Sequence, residues 1–223
     1  MSEISVFDII GPIMIGPSSS HTAGALKIAR IAGLLASDKI TDVTFRLYGS
    51  FAKTYHGHGT DRALVGGILG YDTDDDRIRF SFDYAKKAGM TYSFVECDEP
   101  NDYHPNTVVI TTTEANGTKN VLRGASVGGG EIEINEINGC KIDFSGKYNA
   151  VVVEQQDKPG VVAGITKVLE EEAVNIANMR VYRESRGDNP FSIIEVDGSV
   201  EEQAIEKIRA LPHVLHATYL RVH

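Results

Sequence analysis

Apolar residues recur at spacings of three and four after the first serine run. Ile28, Ile31, Ala32 and Leu35 fall on one helical face, which predicts a helix over residues 20–36. Between Thr41 and Phe51 the period shortens to two: Val43, Phe45 and Leu47 alternate with Thr44, Arg46 and Tyr48, as a half-buried strand requires, and a glycine-rich turn follows. Beyond HGHGTD, Leu64, Val65, Ile68 and Leu69 predict a second helix that stops at Gly70. Residues 74–88 predict a third helix. Asp74, Asp75 and Asp76 stand at its start, Lys86 and Lys87 at its end and Gly89 just after it, the charge order that the helix macrodipole favours. From Thr91 to Phe144 the pattern is one of short strands between Asn and Gly turns: TYSFVE, TVVITTT, KNVLRGASV, EIEINEI and CKIDF.

Small and polar residues break the pattern at FSGKYN, and a new order begins, which places a domain boundary between residues 1–146 and 147–223. YNAVVVEQQD predicts a strand, DKPG a turn, and Val161, Val162, Ile165, Val168 and Leu169 one face of a helix. NMRVYRES and SIIEVDG predict strands. Ser199 and Glu202 have the spacing of a capping box ahead of a helix bearing Val200, Ala204, Ile205, Ile208 and Leu211, and VLHATYLRV closes as a strand. The order βαββαβ is the ferredoxin-like split βαβ arrangement. The fold class expected is therefore α+β throughout, in two domains.

Charge narrows the partners. Asp and Glu total 31 against 22 Lys and Arg, a net charge of −9, so no broad basic face awaits a phosphate backbone and nucleic acid is excluded. No apolar run approaches the roughly 20 residues that cross a bilayer. The start of the chain lacks the basic-then-apolar pattern of a secretory signal, so a cytoplasmic protein without a membrane partner is expected. Cys97 and Cys140 are far apart and lack CxxC or Cys/His spacing, so no metal site is expected in this chain.

Candidate chemistry begins at PSSSHT. A helix start leaves about four backbone N–H groups without intrahelical partners and carries roughly half a positive charge, a natural seat for a carboxylate. One serine suffices as a cap; Ser18, Ser19 and Ser20 followed by His21 and Thr22 exceed that need and point to substrate binding. YHGHGTD repeats the arrangement, with His56 and His58 among glycines and Thr60 and Asp61 where the second helix starts. Histidine is the side chain best suited to moving protons near neutral pH, so His56 and His58 among their glycines are candidates for that work. HPNT, with Asn106, adds a third polar cluster just before a strand. SVGGG has no GK[ST] and no helix after it, so a turn between strands is expected rather than a phosphate loop. His213, His216 and His223 are read as structural or exposed. A Ser-His-Asp nucleophile lacks its G-x-S-x-G elbow. These residues also lack an electron sink or a group to hold a leaving hydroxyl, so something is missing from this chain.

Two resemblances bear on this gap. The βαββαβ order, with Asp157, Pro159 and Gly160 at the first turn and Asn175 before the second strand, resembles an ACT domain over residues 148–223. That resemblance implies binding of a small effector, often an amino acid, at Asp157, Pro159, Gly160 and Asn175, and self-association of paired copies. A module that only joins subunits is the plainer alternative. VFDIIGPIMIGPSSSHTAGA, YGSFAKTYHGHGTD, HPNT and SVGGGEI, in that order, resemble the β subunits of bacterial iron-sulfur L-serine dehydratases. The family resemblance implies a first domain like the allosteric substrate-binding domain of some phosphoglycerate dehydrogenases. It implies an α-subunit partner whose cysteines hold a [4Fe-4S] cluster, and conversion of L-serine to pyruvate and ammonia. Carried over to matching positions, it implies carboxylate binding by Ser18, Ser19, Ser20, His21 and Thr22 and proton handling by His58, beside Thr60 and Asp61. His21 competes for that proton, and a base in the α subunit is a further alternative. The rival expectation is a non-catalytic amino-acid-binding regulatory module of serine metabolism.

Overall fold

The computed structural model describes residues 14–98, 102–185 and 187–221. The chain divides into two compact units, Met1–Asn138 and Gly139–His223.

Within the first unit the sheet order is β2-β1-β3-β4-β5, made by Ile40–Tyr48 (β1), Thr91–Cys97 (β2), Thr107–Glu114 (β3), Lys119–Gly128 (β4) and Glu131–Ile137 (β5). β1 and β2 are parallel and the other pairs antiparallel. Period two in the sequence becomes one buried face: Val43, Phe45 and Leu47 are fully buried, and Leu47 opposes Val108, which opposes Gly124, which opposes Ile134. One helix, Ala25–Leu34 (α1), lies on that face with Leu26, Ile28 and Ile31 buried, and a second, Thr60–Ile68 (α3), with Leu64 and Val65 buried, packs against α1. Close approach is made possible by small residues on β4. A Cβ built on Gly124 would lie 2.9 Å from the Ile28 side chain, and one on Gly24 would lie 2.1 Å from Ser126 Oγ. Gly24 and Ile28, one helical turn apart, thus rest on Ser126 and Gly124, two residues apart on one face of a strand.

The expected helix over residues 20–36 is two pieces, a π-helical turn Ser19–Gly24 followed by α1. Wide turns of this kind are frequent at functional sites. The single helix expected over 74–88 is also corrected: a 3₁₀ turn at Asp76–Phe80 feeds a shorter helix, Ser81–Ala88 (α4). Asp75, in extended backbone, caps the 3₁₀ turn: its side chain accepts the Arg77 amide and pairs with the Arg77 guanidinium. Gly89 ends α4 in the left-handed region as expected. One helix went unanticipated, Gly49–Thr54 (α2), where the sequence suggested only a turn.

The second unit has the strands Cys140–Phe144 (β6), Asn149–Gln155 (β7), Ile176–Tyr182 (β8), Phe191–Val196 (β9) and Val214–Leu220 (β10) and the helices Val161–Glu171 (α5) and Glu202–Arg209 (α6). Four of these strands form a sheet in the order β10-β7-β9-β8, as a βαββαβ chain requires. Val161, Ile165, Val168 and Leu169 of α5 and Ala204, Ile205 and Ile208 of α6 pack on Val151, Val153, Ile194 and Ala217. The expected capping box is absent: α6 starts two residues later, with Glu201 rather than Ser199 at the cap position and no side-chain cap bond. His213 is exposed and meets Gln156, His216 is half-buried in β10, and His223 lies outside the described residues. The arrangement is α+β in both units, and no helix among the described residues is long and apolar enough to cross a membrane.

Candidate functional site

The π-helical turn folds because Ser18, in extended backbone, caps it: Ser18 Oγ accepts the His21 amide at 3.2 Å, and Ser18 O accepts the Thr22 amide at 2.8 Å. One serine of three is spent in this way. The hydroxyls of Ser19 and Ser20, both half-buried, make no hydrogen bond among the described residues. The turn is pinned from below by Gly24 on Ser126, and sideways by Thr22, whose hydroxyl donates to His58 O at 3.1 Å.

Three further segments converge on it. The carboxyl end of β1 turns into α2 at Gly49, which has φ +56 and whose Cβ would lie 2.6 Å from Pro105 O; only glycine fits that corner. Pro105 O accepts the Ser50 amide at 2.6 Å, so HPNT holds the start of α2. Ser50 Oγ then reaches His21 Nε2 at 3.0 Å. The α2–α3 loop brings His58, whose ring meets that of His21 edge to face with centroids 4.7 Å apart; Phe51 packs on His21 from another side at 5.4 Å. Burial lowers the His21 pKa below its ordinary 6.5, and the neighbouring His58 lowers it further, which favours the neutral ring.

Buried polar atoms without partners mark where a ligand would complete the structure. They include His58 Nδ1, Thr60 Oγ1 on a fully buried side chain, and Asn106 Oδ1. Asn106 is tied to the same wall, its carbonyl accepting the Ser126 amide at 3.0 Å and its Nδ2 donating to Ser126 O at 3.4 Å. Native interiors leave few such groups unsatisfied, so several in one region are informative. Asp61 is differently employed: its carboxylate meets His56 Nδ1 at 3.0 Å and the Arg62 amide at 2.7 Å. His56 is exposed, and Ser18, His21, Thr22 and His58 form the connected group. Ser50 was not singled out from sequence; its signal was a serine directly after the glycine that follows β1.

In the second unit, Asp157 pairs with Arg183 at 2.5 Å, just past the end of β8. Pro159 and Gly160 lead into α5 and line a recess of about 220 Å³ with Val161, Gly164, Leu211, Pro212 and His213. Asn175 sits at the opposite end of β8, bonded to Asp197 at 2.6 Å. Seven strand residues at about 3.3 Å each separate it from Arg183, so one copy does not bring Asn175 to Asp157.

Among the described residues no group of three or more His, Cys, Asp or Glu is placed to hold a metal ion, and Cys97 and Cys140 are both buried and free of disulfides. The donor set of a [4Fe-4S] cluster is not met by these residues.

The model of the serine dehydratase beta chain family matches residues 5–91, and that of the ACT domain residues 150–213. The chain is 41% identical to the L-serine dehydratase, beta chain, of Peptoniphilus asaccharolyticus, an alignment that covers 100% of each. It is 42% identical to the probable L-serine dehydratase, beta chain, of Bacillus subtilis, over 98% of each. It is also 25% identical to D-3-phosphoglycerate dehydrogenase of Bacillus subtilis, over 85% of this chain and 36% of that one. Identity of this order along the full length of two beta chains, with an ACT domain in the second unit, is decisive: the chain belongs to the serine dehydratase beta chain family.

Proposed function

We propose that this chain is the β half of a two-chain L-serine dehydratase, which eliminates water from L-serine and releases pyruvate and ammonia. The observation that carries the reading is the convergence of Ser18, His21, Thr22, Ser50 and His58 beside two unspent serine hydroxyls and three buried polar atoms without partners.

The substrate carboxylate, on this reading, takes the hydroxyls of Ser19 and Ser20 at the start of the π-helical turn, where backbone amides also favour negative charge. Thr60 and Asn106 supply neutral polar contacts to the same molecule, and Asp61 shapes the loop through His56. His21 or His58 accepts the α-proton on a ring nitrogen. Loss of that proton and of the β-hydroxyl, together one water, leaves 2-aminoacrylate, which hydrolyses to pyruvate and ammonia. The [4Fe-4S] cluster belongs to the α partner, whose cysteines hold it.

The ACT unit binds a small effector at Asp157, Pro159 and Gly160 of one copy, with Asn175 contributed by a second, because Asn175 lies too far from Asp157 within one chain. Residues 1–146 and 147–223 are the proposed functional domains, and the cytoplasm is the proposed location.

Anaerobic reconstitution tests the reading. The chain alone is expected to be inactive on L-serine, and active once combined with an iron-loaded α chain. Robust turnover by this chain without iron would sink the two-chain account. A colourless oligomer that binds amino acid and recruits no α chain would establish a regulatory module instead, the reading favoured by the phosphoglycerate dehydrogenase similarity.

A further inference from the structure

His21 is held at both ring nitrogens. Ser18 Oγ lies 3.3 Å from Nδ1 and already accepts the His21 amide; Ser50 Oγ lies 3.0 Å from Nε2. A hydroxyl has one proton to give and two lone pairs. If Nδ1 were protonated, Ser18 Oγ would receive two N–H groups of the same residue, and its own proton would lack an acceptor. If Ser18 donates to Nδ1 instead, its oxygen accepts one N–H and gives its own proton, while Nε2 carries the ring proton and donates it to Ser50.

Ser50 is well placed for this duty. Its amide donates to Pro105 O at 2.6 Å, its carbonyl accepts from Thr54 Oγ1 at 2.8 Å, and Gly49 before it has no space for a side chain. Phe51 and His58 close on the His21 ring from two further sides. His58 is the titratable group facing that ring; Ser18, Ser50 and Phe51 are uncharged. His58, by contrast, has a buried Nδ1 without a partner.

We propose that Ser50 is a positioning residue that locks His21 in its Nε2–H tautomer, so that His21 has no lone pair to spare and serves to hold His58 in place. Its bearing on turnover rests on the dehydratase reading above; the lock itself does not.

The test has two arms. In the full-length chain labelled with ¹⁵N, the His21 ring, assigned by its loss in His21→Asn, is expected as a single neutral tautomer protonated at Nε2. Ser50→Ala yields a mixture of tautomers, and Ser50→Thr restores the single form. Ser50→Cys, near in size and a poorer acceptor, gives the mixture should the alanine variant fail to fold. A wild-type ring protonated at Nδ1, or a tautomer unchanged in both Ser50→Ala and Ser50→Cys, overturns the proposal. In the complex with the α chain, Ser50→Ala is expected to lower kcat roughly 10- to 100-fold with KM nearly unchanged, the cost of a misplaced group, and Ser50→Thr to recover most of it. Full activity in Ser50→Ala despite the mixed tautomer also overturns the positioning role. A wild-type complex that is inactive while the tautomer behaves as stated strikes the dehydratase reading alone.

Discussion

The imidazoles of His21 and His58 stand 4.7 Å apart at 73°, on two segments that are 37 residues apart in sequence and are stitched together by the Thr22 hydroxyl on His58 O. Two rings so close do not both take a proton readily, since each charge opposes the other. A pair in which one member stays neutral is what proton transfer needs, because the other is then free to change state.

Titration of the full-length chain should show His21 ionising below 6.5, with burial the larger cause and His58 the smaller. His58→Asn removes the second cause only, so His21 should move part of the way back. Linkage fixes the sign for stability: the unfolded state takes up the proton first, so this contribution is full above about 6.5 and is lost as pH falls through that value to the folded pKa. NMR titration checks the first claim and denaturation at several pH values the second. An unmoved His21 in His58→Asn would show that the rings do not interact.

Gly24→Ala should destabilise the chain by about 1–3 kcal/mol, the cost of overpacking a filled core. The new Cβ has Ser126 Oγ at 2.1 Å and Ser126 Cβ at 2.7 Å, whereas Ser126 Cα is 3.7 Å away. Pairing it with Ser126→Gly removes both clashing atoms, so the double variant should recover most of the loss and the cycle should be strongly non-additive. Denaturant midpoints decide. Simple additivity would mean that the turn does not rest on β4 as described.

Glu114 is a buried carboxylate whose Oε2 accepts from the Ser37 amide, Ser37 hydroxyl and Asp38 amide, and whose Oε1 accepts from Asn120. It fastens the exit of α1 to the sheet, away from the candidate site. Glu114→Ala strands four donors and should cost on the order of 3 kcal/mol. Thermal melts measure this, and the Thr22–His58 contact, followed by NMR, should be unchanged.

Elements with a clean period were legible in the sequence itself. Val43, Phe45 and Leu47 predicted β1, and Ile165, Val168 and Leu169 predicted α5, because one face of each is buried by its own unit. What escaped was set by tertiary contact. Six residues are too few for a period to identify α2, whose start is held by a carbonyl 55 residues away, that of Pro105 bonded to Ser50. The π-helical turn likewise depends on Gly24 meeting Ser126. Of the candidate site, the histidines and serines were visible as unusual chemistry at helix starts. That Ser50 reaches His21, and that Asp61 is spent on His56, followed only from the fold.

The serine run offers the sharpest separation of scaffold from ligand binding. Ser18 caps the turn and touches His21, so Ser18→Ala should cost about 1 kcal/mol of stability as well as activity. Ser19 has no side-chain hydrogen bond among the described residues and is half-buried, so Ser19→Ala should leave the melting temperature nearly unchanged. In the reconstituted complex the same substitution should raise KM for L-serine, since a carboxylate contact is lost in the ground state and transition state alike. Ser19→Thr, which keeps the hydroxyl, should recover part of that affinity. The two serines therefore differ in which quantity moves: stability and turnover for Ser18, affinity for Ser19. If Ser19→Ala lowers stability as much as Ser18→Ala and leaves KM alone, the run is a cap with redundant members, and the substrate carboxylate binds elsewhere.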